Sequence, residues 1–507
     1  MATASMSVQD ALWLTMDRPN NLMVVDGSLV LRGTPDIDAV HAIYEDAVKR
    51  FPVLGRRAVK SGFGWAWEDD PDFDLASHLK VVDFGEGKSL VDLQSFMAEQ
   101  RSQPLPKDRP LWVGYLISPI TLDDGTVGSA MMTRFHHSIA DGVRLTQVLL
   151  GLCETDEASV GAVVARKGVQ SGEAISPPEE IGRVAMHAAG EVAQALEAGV
   201  EDMAGETVQA VRNPLSALMH LPGKALGVAR SGFHQVEEGV SLVRHPDRLL
   251  DALEVLGAEQ HRSLNDLSSV TKIALASTES TVWTGKPGTH KALAWSPGIP
   301  LDDIKALGRR AGATVNDVLL AAISGGLQRY LAAFEEELEE VTWMVPVNLK
   351  PFEDNLPPDL GNYFALVFLP MPLDEPDPQA RLEQMHHRMH RIKHSDEAVL
   401  TFGLQRMVSM SPSQIAFFLT NFFANKAVGV LTNVPGPTSL MRFADIEVEQ
   451  VVGFAPCSGN QPMTATIFSY NGKVTIGFAT DAELLPDPAN LVELVLDELN
   501  RMDAEVV

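Results

Sequence analysis

The sequence predicts an α/β protein built as two halves on either side of a helical connector. Three observations carry this expectation. Strand-like and helix-like patterns alternate over residues 1 to about 150, the same alternation resumes near 270, and between them runs an Ala-rich stretch with apolar residues at helical spacing. At 507 residues the chain also exceeds one ordinary hydrophobic core. The partition read from these shifts is a first half over 1–175, a connector over 176–275 and a second half over 276–507.

In chain order, LMVVDGSLVL (22–31) reads as a strand, and DIDAVHAIYEDAVKRFP (36–52) as a helix that starts after an Asp and stops at a Pro. TVGSAMMTRFHH (126–137) is a second strand, and GVRLTQVLLGLC (142–153) returns to helical spacing. Residues 154–180 are polar and linker-like. From Ile181 the spacing Val184, Ala188, Val192, Leu196, Val200, Met203 is helical, and Pro214, Pro222 and Pro246 should cut the region into several helices. In the second half, 313–340 reads as a helix with an acidic end, and 341–349, 362–373, 427–437 and 473–481 as strands.

Composition narrows the function. Hydrophobic residues at 45% and charged residues at 21% describe a globular chain. A net charge of −27 argues against nucleic acid as a partner, and any anionic substrate would need a local basic site. The two cysteines, Cys153 and Cys457, form no disulfide framework and suit a reducing cytoplasm. MATASMSVQD lacks the features of a signal peptide, and no apolar run is long enough to span a bilayer. A cytoplasmic protein is expected, with attachment to a membrane surface left open.

The most informative stretch is RFHHSIADGVRL (134–145), at the end of a strand and on a loop feeding a helix. Adjacent histidines in a strand point to opposite faces, and no third ligand is evident beside His137 and Asp141, so metal is not expected. Two readings remain. Both histidines could be structural groups beside a turn. Alternatively, one faces a cleft as a general base, since a neutral imidazole can take a proton from a hydroxyl near neutral pH. In that reading the other histidine supports it, Asp141 stiffens the loop by accepting backbone N–H groups or pairing with an Arg, and Gly142 allows close approach.

The HHxxxDG pattern of His136, His137, Asp141 and Gly142 resembles the signature of the CoA- and carrier-dependent acyltransferases, which include chloramphenicol acetyltransferase and peptide-synthetase condensation domains. Further stretches resemble, in order, the bacterial wax ester synthase/diacylglycerol acyltransferase family: SVQDALWLTMDRPNNLMVV (7–25), FPVLGRR (51–57), FDLASHL (73–79), SQPLPKDRPLW (102–112), TVNDVLLAAISGGLQRYL (314–331), VPVNLK (345–350), LGNYFALVFLPMPL (360–373), LTNVPGP (431–437) and GFATD (477–481). The stretch STESTVWTGKPGTHK (277–291) departs from that family's usual pattern.

The resemblance implies two chloramphenicol-acetyltransferase-like sandwich halves joined by the connector, with an active-site tunnel between them. It implies transfer of a long-chain acyl group from acyl-CoA, as a substrate and with no cofactor, to diacylglycerol or a fatty alcohol. His137 would be the base, His136 its support and Asp141 structural. Gly142, Asn316, Asp317, Thr432 and Asn433 are the candidates for substrate contact, Thr432 and Asn433 as oxyanion donors. Plainer roles compete: Thr432 and Asn433 as turn formers before a Pro, Asn316 and Asp317 at the start of a helix. Other outcomes compatible with the motif are acylation of a polyketide or glycolipid hydroxyl and a non-catalytic lipid-droplet protein. HHRMHRIKH (386–394) reads as a basic solvated helix or an anion-attracting one. QIAFFLTNFFANKAVGVL (414–431) reads as a core helix or a tunnel wall, and 215–230 as an amphipathic candidate for a membrane or droplet surface.

Overall fold

The apolar runs of both halves fold into sheets in the computed structural model, which describes residues 3–62, 64–155, 280–348, 356–393, 401, 405 and 413–506. The expected connector (176–275), its polar approach from 156, the stretch 215–230 and His394 lie outside the described residues. The chain divides into two compact units, Met1–Ile175 with Thr278–His394 and Ala427–Val507, and Ser176–Ser277 with Ser395–Lys426.

The first unit begins with β1 (Thr3–Ser5), α1 (Val8–Met16), β2 (Val24–Leu31), α2 (Ile37–Arg50), β3 (Arg56–Ser61), β4 (Gly64–Asp69), α3 (Leu75–His78), β5 (Leu79–Asp83) and α4 (Leu90–Arg101). It continues with β6 (Trp112–Thr121), β7 (Val127–His136), α5 (Gly142–Leu150) and β8 (Glu154–Thr155). After the connector come β9 (Lys291–Trp295), β10 (Ile299–Pro300), α6 (Leu301–Ala311), α7 (Val315–Ala332), β11 (Glu340–Asn348), β12 (Phe364–Pro372) and α8 (Pro378–Lys393). The described helix of the second unit, α9, spans Ser413–Ala424. The first unit then closes with β13 (Gly429–Pro435), β14 (Met441–Phe443), β15 (Ile446–Phe454), β16 (Met463–Tyr470), β17 (Lys473–Asp481) and α10 (Pro488–Glu505).

Among the described residues these strands make two seven-stranded sheets and a small three-stranded one. The first large sheet has the order β5-β6-β7-β2-β15-β14-β8. It is therefore not made from the first half alone, because β14 and β15, from beyond residue 440, complete it. The second has β17 at its centre-left, with β9 and β10 along one edge, followed by β16-β13-β11-β12. On one face of the first sheet, α2 and α5 bury Tyr44, Val148 and Leu149 against Leu29, Phe135 and Val451. The second sheet is covered by α7, α8 and α10.

Local chemistry explains the ends. Asp36 caps α2 by accepting from the N–H groups of Asp38 and Ala39, and Pro52 follows the helix. The helix expected over 313–340 ends at Ala332 instead, with Glu335 left-handed at φ 59°. Acidic side chains oppose the negative end of a helix dipole, so the Glu-rich stretch leaves the helix rather than extending it. The expected run 414–431 likewise divides between α9 and β13. Gly325, inside α7, has no room for a Cβ because the buried Arg381–Glu498 pair crosses there. Among the described residues no helix is long and apolar enough to cross a membrane.

Candidate active site

The HHxxxDG turn is held from three sides. Backbone pairing extends past the end of β7: His136 N–H donates to Leu111 O (2.9 Å) and His137 N–H to Met23 O (2.7 Å). Strand alternation then sends the two rings to different surroundings. His136 Nδ1 accepts from Ser138 N–H at 3.1 Å, with Ser138 Oγ at 2.8 Å. That bond assigns the ring proton to Nε2, which faces Asp17 Oδ1 at 3.9 Å. Burial pushes His136 down to about 4, opposed by Asp17 and assisted by Lys107 and His137.

The His137 ring stacks on Trp13, with centroids 4.1 Å apart, and Phe364 flanks it at 5.7 Å. Its Nδ1 is buried without a hydrogen-bond partner. Burial pushes its pKa down to about 4 as well, while its own carbonyl and the Asn362 amide oppose the drop. His137 is thus neutral at neutral pH.

Asp141 is the N-cap of α5. Its Oδ1 accepts from Arg144 N–H and its Oδ2 from Tyr363 N–H, both at 2.9 Å. Burial raises its pKa, and those backbone donors oppose the rise. Tyr363 belongs to the short segment 360–363 ahead of β12, which grips the turn repeatedly. Arg144 donates to Leu360 O and lies over the Tyr363 ring at 4.6 Å. Asn362 Nδ2 donates both to His137 O (3.0 Å) and to Asp10 Oδ1 (2.7 Å) on α1. One helix therefore supplies the ring that covers His137 and the carboxylate that anchors Asn362.

A cavity of about 130 Å³ opens beside this turn, lined by His137, Asp141 and Gly142 together with Trp13, Thr432 and Asn433. Most of the remaining wall is apolar, drawn from strands of both large sheets and from α5. A Cβ on Gly142 would meet nothing within 4 Å. Thr432 Oγ1 donates to Thr466 Oγ1 at 3.2 Å, and Asn433 Nδ2 donates to Asn316 Oδ1 at 2.7 Å.

Asn316 and Asp317 do not line the cavity. Asp317 forms a capping box with Thr314 at the start of α7 and is 2.8 Å from His386 Nδ1. In the basic helix, Arg388 pairs with Glu340 at 2.9 Å. Sequence reasoning singled out neither Trp13 nor the Asp10–Asn362 link. Trp13 sits at ordinary helical spacing in α1, and nothing in LGNY marks Asn362 as a bridge.

Two family descriptions match the chain: the wax ester synthase/diacylglycerol acyltransferase catalytic domain over 6–226, and the WS/DGAT C-terminal domain over 360–503. A Mycobacterium tuberculosis H37Rv protein, provisionally named a diacylglycerol O-acyltransferase, is 25% identical over 454 residues, covering 88% of this chain and 81% of its own. Another from that strain, named in the same way, is 23% identical over 505 residues, covering 96% and 87%. In fold the chain is similar to the wax ester synthase/diacylglycerol acyltransferase from Marinobacter aquaeolei VT8, with a TM-score of 0.62, 17% identity and 99% of both chains covered. It also resembles the first condensation domain of the calcium-dependent antibiotic synthetase, with a TM-score of 0.54, 15% identity and 100% and 98% covered. With both domain descriptions matched in order, and the HHxxxDG turn inside the first, the chain belongs to the wax ester synthase/diacylglycerol acyltransferase family of acyltransferases.

Proposed function

We propose that this acyltransferase moves a long-chain acyl group from acyl-CoA to the hydroxyl of diacylglycerol, giving triacylglycerol, or of a fatty alcohol, giving a wax ester. The observation that carries the reading is a neutral, buried His137 in the wall of an apolar cavity, with its Nδ1 turned into the protein. Its Nε2 then takes the proton of the acceptor hydroxyl as that oxygen attacks the thioester carbonyl. The tetrahedral intermediate collapses by breaking the C–S bond, and the proton on His137 passes to the departing CoA thiolate. No residue of the protein becomes acylated, so acyl-CoA is a substrate and no cofactor enters.

Asp141 acts by position, since its oxygens are taken up by the Arg144 and Tyr363 N–H groups. His136 fixes the turn through Ser138. Thr432 and Asn433, in the cavity wall, are the side chains proposed to donate to the oxyanion, and Gly142 leaves room for the thioester. Asn316 acts through its bond to Asn433, and Asp317 by holding the start of α7. A lipid acceptor requires the protein to meet a membrane or droplet surface from the cytoplasmic side. The names of the mycobacterial relatives favour diacylglycerol as that acceptor.

The test is CoA release from palmitoyl-CoA with diacylglycerol or hexadecanol, beside His137→Ala. The variant should lose a factor of about 10²–10⁴ in rate. Equal release by both proteins would remove His137 from the mechanism, and the better acceptor names the product.

A further inference from the structure

Glycine inside a strand packs nothing and costs backbone entropy, so it often marks close approach by something else. Two such glycines meet in the first sheet: Gly453 of β15 is paired directly with Gly27 of β2. Gly27 is paired in turn with Thr133 of β7. All three line the cavity, and residues in one register row present the same sheet face. Facing them is α5, whose Gly142, Leu145, Thr146 and Leu149 also line it. That spacing is one side of a helix. A slot therefore leads away from the His137 turn between α5 and β7-β2-β15, and α5 rises ~10 Å along it.

The two glycines are not equivalent. A Cβ on Gly27 would come within 2.8 Å of Leu149 Cδ2, so Leu149 already fills that gap. A Cβ on Gly453 would meet only Asp26 O, at an ordinary 3.6 Å. The room left at position 453 is thus cavity, not packed protein. Beside the row, the Thr133 hydroxyl is already held by Tyr44 OH at 2.6 Å, so an alkyl chain passing there strands no polar group.

We infer that this slot takes the alkyl chain of the acyl donor and that the missing side chain at Gly453 sets the length of chain accepted. The inference rests on the acyltransferase reading, because a thioester carbon placed at His137 puts its chain at the slot's entrance. A slot walled by one helix and three strands admits one chain. That excludes a diacylglycerol, which carries two, and the alcohol-length arm of the experiment separates the acyl-CoA from a fatty alcohol, each of which carries one.

The experiment measures CoA release by wild type, Gly453→Val and Gly453→Leu with hexanoyl-, dodecanoyl- and palmitoyl-CoA, and then with alcohols of two lengths. The kcat/KM ratio of palmitoyl- to hexanoyl-CoA should fall by about tenfold or more for Val, and further for Leu. A Leu149→Val variant, which widens the slot, should move the ratio the other way and serves if the bulky variants fail to fold. An unchanged ratio overturns the inference, as does a shift in the alcohol-length profile alone. If wild type releases CoA from none of the thioesters, the acyltransferase reading fails instead. The slot is then decided by thermal shift with palmitate: stabilisation abolished in Gly453→Leu supports it, and equal stabilisation of both proteins overturns it.

Discussion

Burial holds the imidazoles of His136 and His137 near 4, against 6.5 for the unperturbed side chain. The acid limb of kcat/KM for acyl transfer should therefore fall near pH 4, and a limb centred near 6.5 would mean that His137 is hydrated in the working enzyme. Stability follows the same shift. The unfolded chain protonates both rings below 6.5, whereas the folded chain resists until about 4. Their contribution is complete above 6.5 and is lost as pH falls through that window, at ~1.4 kcal/mol per unit for each ring. Asp10 and Asp141, both raised by burial, act with the opposite sign, since acid relieves their buried charge. Set against a His136→Asn/His137→Asn double variant, the wild type should lose thermal midpoint relative to it as pH falls from 6.5 to 4, and an identical pH dependence of the two proteins would contradict these assignments. The layout of the turn was legible beforehand. Adjacent histidines on a strand must diverge, and an Asp before a helix is a natural cap. Burial depth was not legible, because Trp13 and Phe364 reach His137 from distant parts of the sequence.

At the level of elements, α1 and the segment 360–363 act as a clamp on the HHxxxDG turn. Asn362 is its pin, joining Asp10 to the His137 carbonyl. Asn362→Leu would leave the buried Asp10 carboxylate without that donor, at a cost of ~2 kcal/mol. The expected result is a lower thermal midpoint with a loss carried mainly by kcat, and Asn362→Gln should recover part of it. A variant with wild-type kcat and a raised KM would instead place Asn362 in substrate binding. The strands VTWMVPVNL and KVTIGFATD could be read directly because their alternation and β-branched content are local. What could not be read is partnership. IEVEQVVGF pairs with β2, more than 400 positions earlier, and its own residues carry no trace of that choice. The Glu-rich stretch after α7 shows the converse, in that the helix expected over 313–340 stops at Ala332, before those side chains would meet the negative end of its dipole.

For the molecule as a whole, the charge of −27 bears on how the proposed acyl-CoA substrate, itself anionic, would reach the site. Like-charge repulsion slows encounter and is screened over ~10 Å at 0.1 M salt. The KM for palmitoyl-CoA should therefore fall as salt rises from about 20 to 200 mM, with kcat little changed. A KM that climbs with salt would reveal a local cationic site strong enough to overcome the global field.

The borrowed strands β14 and β15 also constrain biosynthesis. The sheet that ends in His136 gains its fifth and sixth strands only when residues 441–454 have been made, out of 507. A nascent chain that has already emerged with β2 and β7 must wait on the ribosome with β2's outer edge unpaired, an open invitation to neighbouring chains. Early termination anywhere before that point should yield aggregates rather than a working half-enzyme.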